Sequence, residues 1–415
     1  MTLAATIDAF LAGEASRQTG FLAELVRAPS DNPPGDCAAA AARCQALLEG
    51  LGLAVEADIV PAAEVAANGM VSATNLIVRH RFGPGPTIAL NAHGDVVPPG
   101  LGWRHDPYGA AIEDGPHGPA MFGRGVAVSK SDIATYAWVL LALRHAAAAG
   151  HALAGTVELH VTWDEEAGGE IGPRRLLASG LSRPDLAICA GFSYAVVTAH
   201  NGCLHLEVTV TGKQAHAAAP DAGVDALEAA TGVLAALYAG RPALAATRSA
   251  TPGIETPTLN VGLIAGGINT NVVPDRVTFR LDRRIVPEEN PDRVEADLRA
   301  LVADAARAHP RAQVAVTRVM LARPLAPLAG TERITAALQD AARAVLGLDI
   351  AATGVPLYTD ARHYADAGVP VVLYGAGPRT LAEASAHNAD ENLRLNDLAA
   401  ATRIVARAVA ALLRE

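Results

Sequence analysis

Apolar and polar residues follow two successive rhythms along the chain. At residues 7–26 apolar positions recur at helical spacing and stop before Pro29. A second helix is expected at 36–49, with Asp36 as a candidate cap and Gly50 and Gly52 as its stop. Residues 53–60, 75–79 and 87–91 read as strands, the last entered through the turn Gly83-Pro84-Gly85-Pro86. Residues 103–122 are rich in Gly, Pro and His and read as irregular. A long helix is expected from Ser129 to Ala149, then a strand at 156–162, a helix at 170–179 and a strand at 185–189. Strands alternating with helices imply an α/β class: a mixed, mostly parallel sheet with helices on both faces.

The second rhythm begins after Asn201. Strands at 204–211, 258–265, 272–282 and 313–319 and helices at 223–239 and 292–309 give the order β-α-β-β-α-β. That order is the ferredoxin-like α+β plan, and about a hundred residues suffice for a domain. The chain then returns to helix, strand and helix at 331–346, 369–373 and 398–413. The reading is a catalytic domain in two segments, 1–200 and 323–415, with a lid or dimerisation domain inserted at 201–322.

Composition narrows the classes. The 415 residues are 51% hydrophobic and 18% charged, which suits two globular domains. A net charge of −10 without a basic block argues against nucleic acid and anionic membrane as partners. Cys37, Cys44, Cys189 and Cys203 show no C-x-x-C spacing and read as buried free thiols in a reducing compartment. The N-terminal stretch carries Asp8 and Glu14 and lacks a basic region, so it does not read as a signal peptide. A cytoplasmic protein without a membrane span is expected.

Candidate chemistry sits where strands end. Residues 87–91 run into Ala92-His93-Gly94-Asp95, an imidazole followed by a carboxylate that can orient it. Val161-Thr162 runs into Trp163-Asp164-Glu165-Glu166, three successive acids that need a cation or solvent. One Glu can bind a metal while its neighbour serves as general base, and the same acids can simply favour a helix start. Ala386-His387-Asn388-Ala389-Asp390-Glu391 is a polar turn that can carry a ligand or cap the last helix. In the inserted segment stand Lys213-Gln214-Ala215-His216, then Asn269-Thr270-Asn271, and Asp282-Arg283-Arg284. An Asn amide and an Arg fork suit a substrate carbonyl and carboxylate.

In order and placement these motifs resemble the zinc metallopeptidase family of aminoacylase, carboxypeptidase G, acetylornithine deacetylase and succinyl-diaminopimelate desuccinylase. The resemblance runs from Ala28-Pro29-Ser30 to Glu391. It implies metal-assisted hydrolysis of an amide in an N-acyl amino acid or related small carboxylate, and a homodimer formed through the inserted domain. Carried over by residue, His93, Glu166 and His387 match metal ligands, Asp95 the orienting carboxylate and Glu165 the general base. His216 matches the oxyanion-stabilising histidine of the lid. Asn271 and Arg284 match substrate-binding positions, and Asp360 in Thr359-Asp360-Ala361-Arg362 falls on the substrate loop. Tyr358, His363 and Phe192 are further candidates to line the cleft.

Two positions depart from the family pattern. Gly123-Arg124-Gly125-Val126-Ala127-Val128 puts Val128 where the metal-bridging Asp belongs, and Gly191 stands where a further acidic ligand is expected. Two cations need an anionic bridge, so one divalent ion is expected: zinc first, manganese or cobalt as alternatives. Asp132 is a candidate substitute ligand. Two alternatives stay open: a metal-independent or non-hydrolytic enzyme, for which Ser129 and Lys130 offer a nucleophile pair, and a non-catalytic small-molecule binder with a vestigial metal site.

Overall fold

The computed structural model describes residues 1–414. The elements run α1 (Leu3–Val26), α2 (Ala38–Gly50), β1 (Val55–Ile59), α3 (Ala62–Ala67), β2 (Thr74–Arg81), β3 (Thr87–His93), β4 (Ala111–Gly115), β5 (Gly118–Phe122), α4 (Lys130–Ala148), β6 (Thr156–Thr162), α5 (Pro173–Ala178), β7 (Leu186–Cys189) and β8 (Ala195–His200). They continue with β9 (Gly202–Thr211), α6 (Ala226–Ala246), β10 (Thr258–Gly266), β11 (Arg276–Ile285), α7 (Pro291–Ala306) and β12 (Gln313–Ala322). The chain closes with α8 (Thr331–Leu346), β13 (Ala351–Val355), α9 (Ala361–Asp366), β14 (Val371–Leu373), β15 (Asn392–Arg394) and α10 (Leu395–Leu412).

Two compact units result. The first comprises Met1–Thr198, Pro327–Thr353 and Thr359–Glu415. Its main sheet has the order β1-β2-β6-β3-β7-β14-β8-β13. The centre, β6-β3-β7-β14, is parallel, and β1-β2-β6 at one flank is antiparallel. Buried runs such as Ile88–Leu90 in β3 and all of β7 show that both faces of this centre are covered, the signature of a parallel α/β core. Trp138 on α4 is fully buried and meets the edge of Phe21 from α1 at 5.3 Å between ring centres. The fold is therefore the mixed α/β architecture that the alternation implies.

The second unit comprises Ala199–Ala326 and Gly354–Tyr358. Its antiparallel sheet has the order β10-β11-β9-β12. Alternation sorts the two faces: Leu204, Leu206 and Val208 of β9 and Val277, Phe279 and Leu281 of β11 form the core with α6 and α7. The intervening residues Cys203, His205, Asp282 and Arg284 share the opposite face.

Several elements differ from the sequence expectation. Residues 103–122 contain the hairpin β4–β5, which pairs with β15 through Leu393 opposite Met121. Asp36 does not cap α2; its carboxylate accepts the Ser72 hydroxyl at 2.6 Å. Strand β11 starts at Arg276 because Val273 and Val272 pair instead with the His216 segment.

Candidate functional site

The site grows from the carboxyl ends of β3 and β6 in the first unit. Strand β3 ends on His93, only 6% exposed. Its backbone is clamped by Ser129, whose hydroxyl accepts the His93 N–H (3.1 Å) and donates to the His93 carbonyl (2.9 Å). A Cβ on Gly94 would lie 2.5 Å from the Trp163 ring, so only glycine lets the two strand ends pass this closely. Asp95 follows, fully buried. Its Oδ1 accepts the Glu165 N–H (3.2 Å), and its Oδ2 accepts the Glu166 N–H (3.1 Å) and an Asn32 amide hydrogen (3.0 Å). His93 Nδ1 lies 3.0 Å from the Asp95 carbonyl and 3.4 Å from Oδ1. One carboxylate thus sets the imidazole and both glutamates.

The acidic turn is braced from below. Asp164 Oδ2 accepts the N–H groups of Ile171 (2.7 Å) and Gly172 (3.0 Å). Arg362 and His363 from α9 both contact the Gly168 carbonyl, His363 Nε2 at 3.1 Å. Gly169 has φ +68° and passes against Asp360 and His363, where a Cβ would collide with both. Ligand atoms of His93, Glu165 and Glu166 converge within 4.8 Å of one another. His387, in a loop with φ +61°, brings Nε2 to 3.4 Å from Glu166 Oε1.

The electrostatics are those of a crowded anionic pocket. Burial, with the Glu166 and Asp95 charges, pushes Glu165 up to about 8 despite the opposing His93. Burial alone would lower His93, but its bond to Asp95 and the charges of Glu165, Asp95 and Glu166 hold it well above the usual imidazole range. The Glu166 contact likewise raises His387. His93 with the two glutamates makes a nitrogen-and-oxygen donor set that fits a divalent ion, His387 stands beside Glu166 outside that group, and the surplus negative charge favours a cation.

The positions expected to carry further acids are otherwise engaged. Val128 packs its side chain against the core, and its N–H and that of Ala127 donate to Glu391 Oε1 (3.3 and 3.0 Å). Glu391 Oε2 accepts Arg124 Nη1 at 2.6 Å in a pair 1% exposed on each side. The Gly191 N–H donates to Asp132 Oδ2 (3.2 Å), while Asp132 Oδ1 accepts the Ala376 N–H (2.6 Å). Asp132 is therefore a brace between β7 and β14, not a substitute ligand, and burial pushes it up to about 7. The Ser129–Lys130 pair is corrected as well. The Ser129 hydroxyl is spent on His93, and Lys130 Nζ donates to the Ala28 carbonyl at 2.8 Å.

Asp360 is 4% exposed, with both carboxylate oxygens lacking a hydrogen-bond partner, and it lies beneath the acidic turn. That placement puts it behind the donor cluster and away from an accessible wall. His363 is tied to Gly168 in the same layer. In the second unit, His216 is exposed and its Nδ1 accepts the Ala218 N–H at 3.0 Å. Asn271 lies on the neighbouring segment, its carbonyl accepting the Ala217 N–H (3.0 Å). Arg284 Nε donates to Asp282 Oδ1 at 3.0 Å. Sequence reasoning assigned no role to Asn32, Arg362 or Glu391; the Pro33-Pro34 break beside Asn32 was the only local signal.

Comparison with known proteins identifies a family. The model described as Peptidase family M20/M25/M40 matches residues 89–411. A succinyl-diaminopimelate desuccinylase of Acidiphilium cryptum is 31% identical over 344 residues, covering 80% of this chain and 85% of that protein. An acetylornithine deacetylase of Myxococcus xanthus is 29% identical over 327 residues, covering 78% and 79%. A metallo-carboxypeptidase of the M20 family from Sulfolobus solfataricus superposes with a TM-score of 0.75 at 16% identity, covering 96% and 99%. A Bacillus subtilis protein described as a dinuclear metal-binding M20 peptidase gives 0.67 at 17%, covering 97% and 99%.

Proposed function

The chain belongs to peptidase family M20/M25/M40 and is an amidohydrolase, and we propose that it hydrolyses the amide of an N-acyl amino acid or related small carboxylate with a single divalent ion. The convergence of His93, Glu165 and Glu166 on the shared acceptor Asp95 carries this reading. His93, Glu166 and His387 would hold the ion, which supplies Lewis acidity at the scissile carbonyl when bound. Zinc suits the nitrogen and oxygen donors best, with manganese and cobalt next. One ion is favoured over two because the bridging position is the aliphatic Val128 and Gly191 offers no side chain.

Glu165 is the general base. It takes a proton from the attacking water as the oxygen bonds to the amide carbon, and returns it to the leaving nitrogen as the C–N bond breaks. Asp95 fixes where that carboxylate stands. From the inserted unit, His216 is assigned the oxyanion, Asn271 the substrate carbonyl and Arg284 the substrate carboxylate. A homodimer through the inserted unit fits the exposed Leu263 (63%) and Ile264 (57%) on its edge strand β10. Four buried cysteines outside any disulfide fit a reducing compartment such as the cytoplasm.

The test is hydrolysis of N-acetyl and N-succinyl amino acids by the full chain. Activity should disappear on dialysis against chelator and return with Zn²⁺, Mn²⁺ or Co²⁺. Undiminished turnover in chelator would overturn the metal-dependent reading.

A further inference from the structure

A second donor cluster stands on the outer face of the inserted sheet. Cys203 and His205 are alternate residues of β9, and Asp282 of β11 is directly opposite His205 in the register. Cys203 Sγ lies 3.2 Å from His205 Nε2 and 3.5 Å from Asp282 Oδ2, and Nε2 lies 3.0 Å from the same Oδ2. Three different donor atoms therefore form a closed triangle.

This triangle is not a nucleophile–base–orienter triad. In such a triad the thiol and the carboxylate address opposite ring nitrogens, whereas here both address Nε2. Its dimensions are those of one face of a coordination tetrahedron. Zinc bonds of about 2.3 Å to sulfur and about 2.0 Å to nitrogen or oxygen put ligand atoms roughly 3.3–3.6 Å apart at tetrahedral angles. The observed sides fall within a few tenths of an ångström of that range.

Charge and support fit the same occupant. An ionised Cys203 and Asp282 supply two negative charges, and Arg284, bonded to the cluster, takes the other oxygen of Asp282. Oδ2 is thereby left facing Sγ and Nε2, and Arg284 orients the carboxylate from behind. Cys203 is fully buried, while the side chains of His205 and Asp282 are 36% and 28% exposed, which gives an entry path and room for a solvent ligand in the fourth position.

We propose that Cys203, His205 and Asp282 form a thiolate-containing binding site for a divalent zinc-class ion, separate from the donor cluster on His93, Glu166 and His387. This site stands on the strand register of the inserted sheet and does not depend on the hydrolytic assignment.

Cobalt titration of the chelator-treated full chain tests it. His93, Glu166 and His387 contain no sulfur, so a thiolate-to-cobalt charge-transfer band in the near ultraviolet reports the Cys203 site alone among the two. The wild type should develop that band by two equivalents of Co²⁺, one for each cluster, and Cys203→Ser should lose it completely. His205→Gln, at a half-exposed position, should weaken Co²⁺ binding by at least tenfold while circular dichroism stays unchanged; it keeps the test decisive if the buried cysteine variant does not fold. Glu166→Gln should leave the band in place. Saturation of the wild type without a thiolate band, or a band that survives Cys203→Ser, would overturn the proposal.

Discussion

The two donor clusters are built by opposite means. In the first unit, Glu165 and Glu166 are chain neighbours, and a buried carboxylate two residues beyond His93 collects their N–H groups. In the second, the donors come from strands almost eighty residues apart and meet through cross-strand register. The first cluster depends on a loop braced from beneath. The second depends only on which face of a sheet each residue takes. A turn built this way can place a base beside a ligand with different orientations, as hydrolysis requires. A sheet face can only set side chains in a row, which suits binding.

The sharpest challenge to that contrast is Glu165→Ala. Turnover should fall by about 100- to 10,000-fold with the fold intact, as for loss of a general base; steady-state kinetics beside circular dichroism would show it, and near wild-type turnover would remove Glu165 from the mechanism. Next comes the bracing itself. Glu391→Gln leaves Arg124 buried without its counter-charge and should cost about 3–5 kcal/mol in denaturant unfolding, an effect no residue of the sheet-face cluster should match.

A third challenge concerns strand β6, which delivers the acidic turn. Burial would raise Glu158, but His160, Ser182 and Arg79 hydrogen-bond it and hold it down to about 2. Because the folded value is depressed, the stabilisation is fully present above about 4.5 and is lost as pH falls towards about 2. It amounts to at most about 3 kcal/mol. Unfolding free energies across pH 2–6 should flatten in Glu158→Gln, and an unchanged acid limb would rule out this contribution. The smallest effect is expected for Asp95→Asn. An amide cannot accept as well from Glu165 and Glu166, so affinity of the first cluster for Zn²⁺ should drop by about 10- to 100-fold in competition with a chromophoric chelator. Equal affinity would mean the turn holds itself.

The same contrast explains what could be read from the chain. His93, Asp95, Glu165 and Glu166 were legible because each follows a buried strand within a few residues, so local pattern and chemistry coincide. The parallel centre of the sheet was legible from its alternation with helices. The hairpin β4–β5 was not, because a run of Gly, Pro and His reads as loop until β15 arrives from much later in the chain to pair with it. The fates of Asp132 and Ser129 were hidden for the same reason: their partners, Ala376 and the backbone of His93, are adjacent only in space. Cys203 looked like an ordinary buried thiol, since nothing near it in sequence names Asp282 as its neighbour.

The Arg124–Glu391 clip also has a temporal meaning. Glu391 fastens the Ala127–Val128 backbone, and its loop carries His387, yet it is synthesised long after the acidic turn. A nascent polypeptide emerging amino end first therefore holds His93 and the acidic turn long before it has the residue that completes them. If His387 is a ligand, as proposed, the donor cluster stays unfinished until this later segment docks.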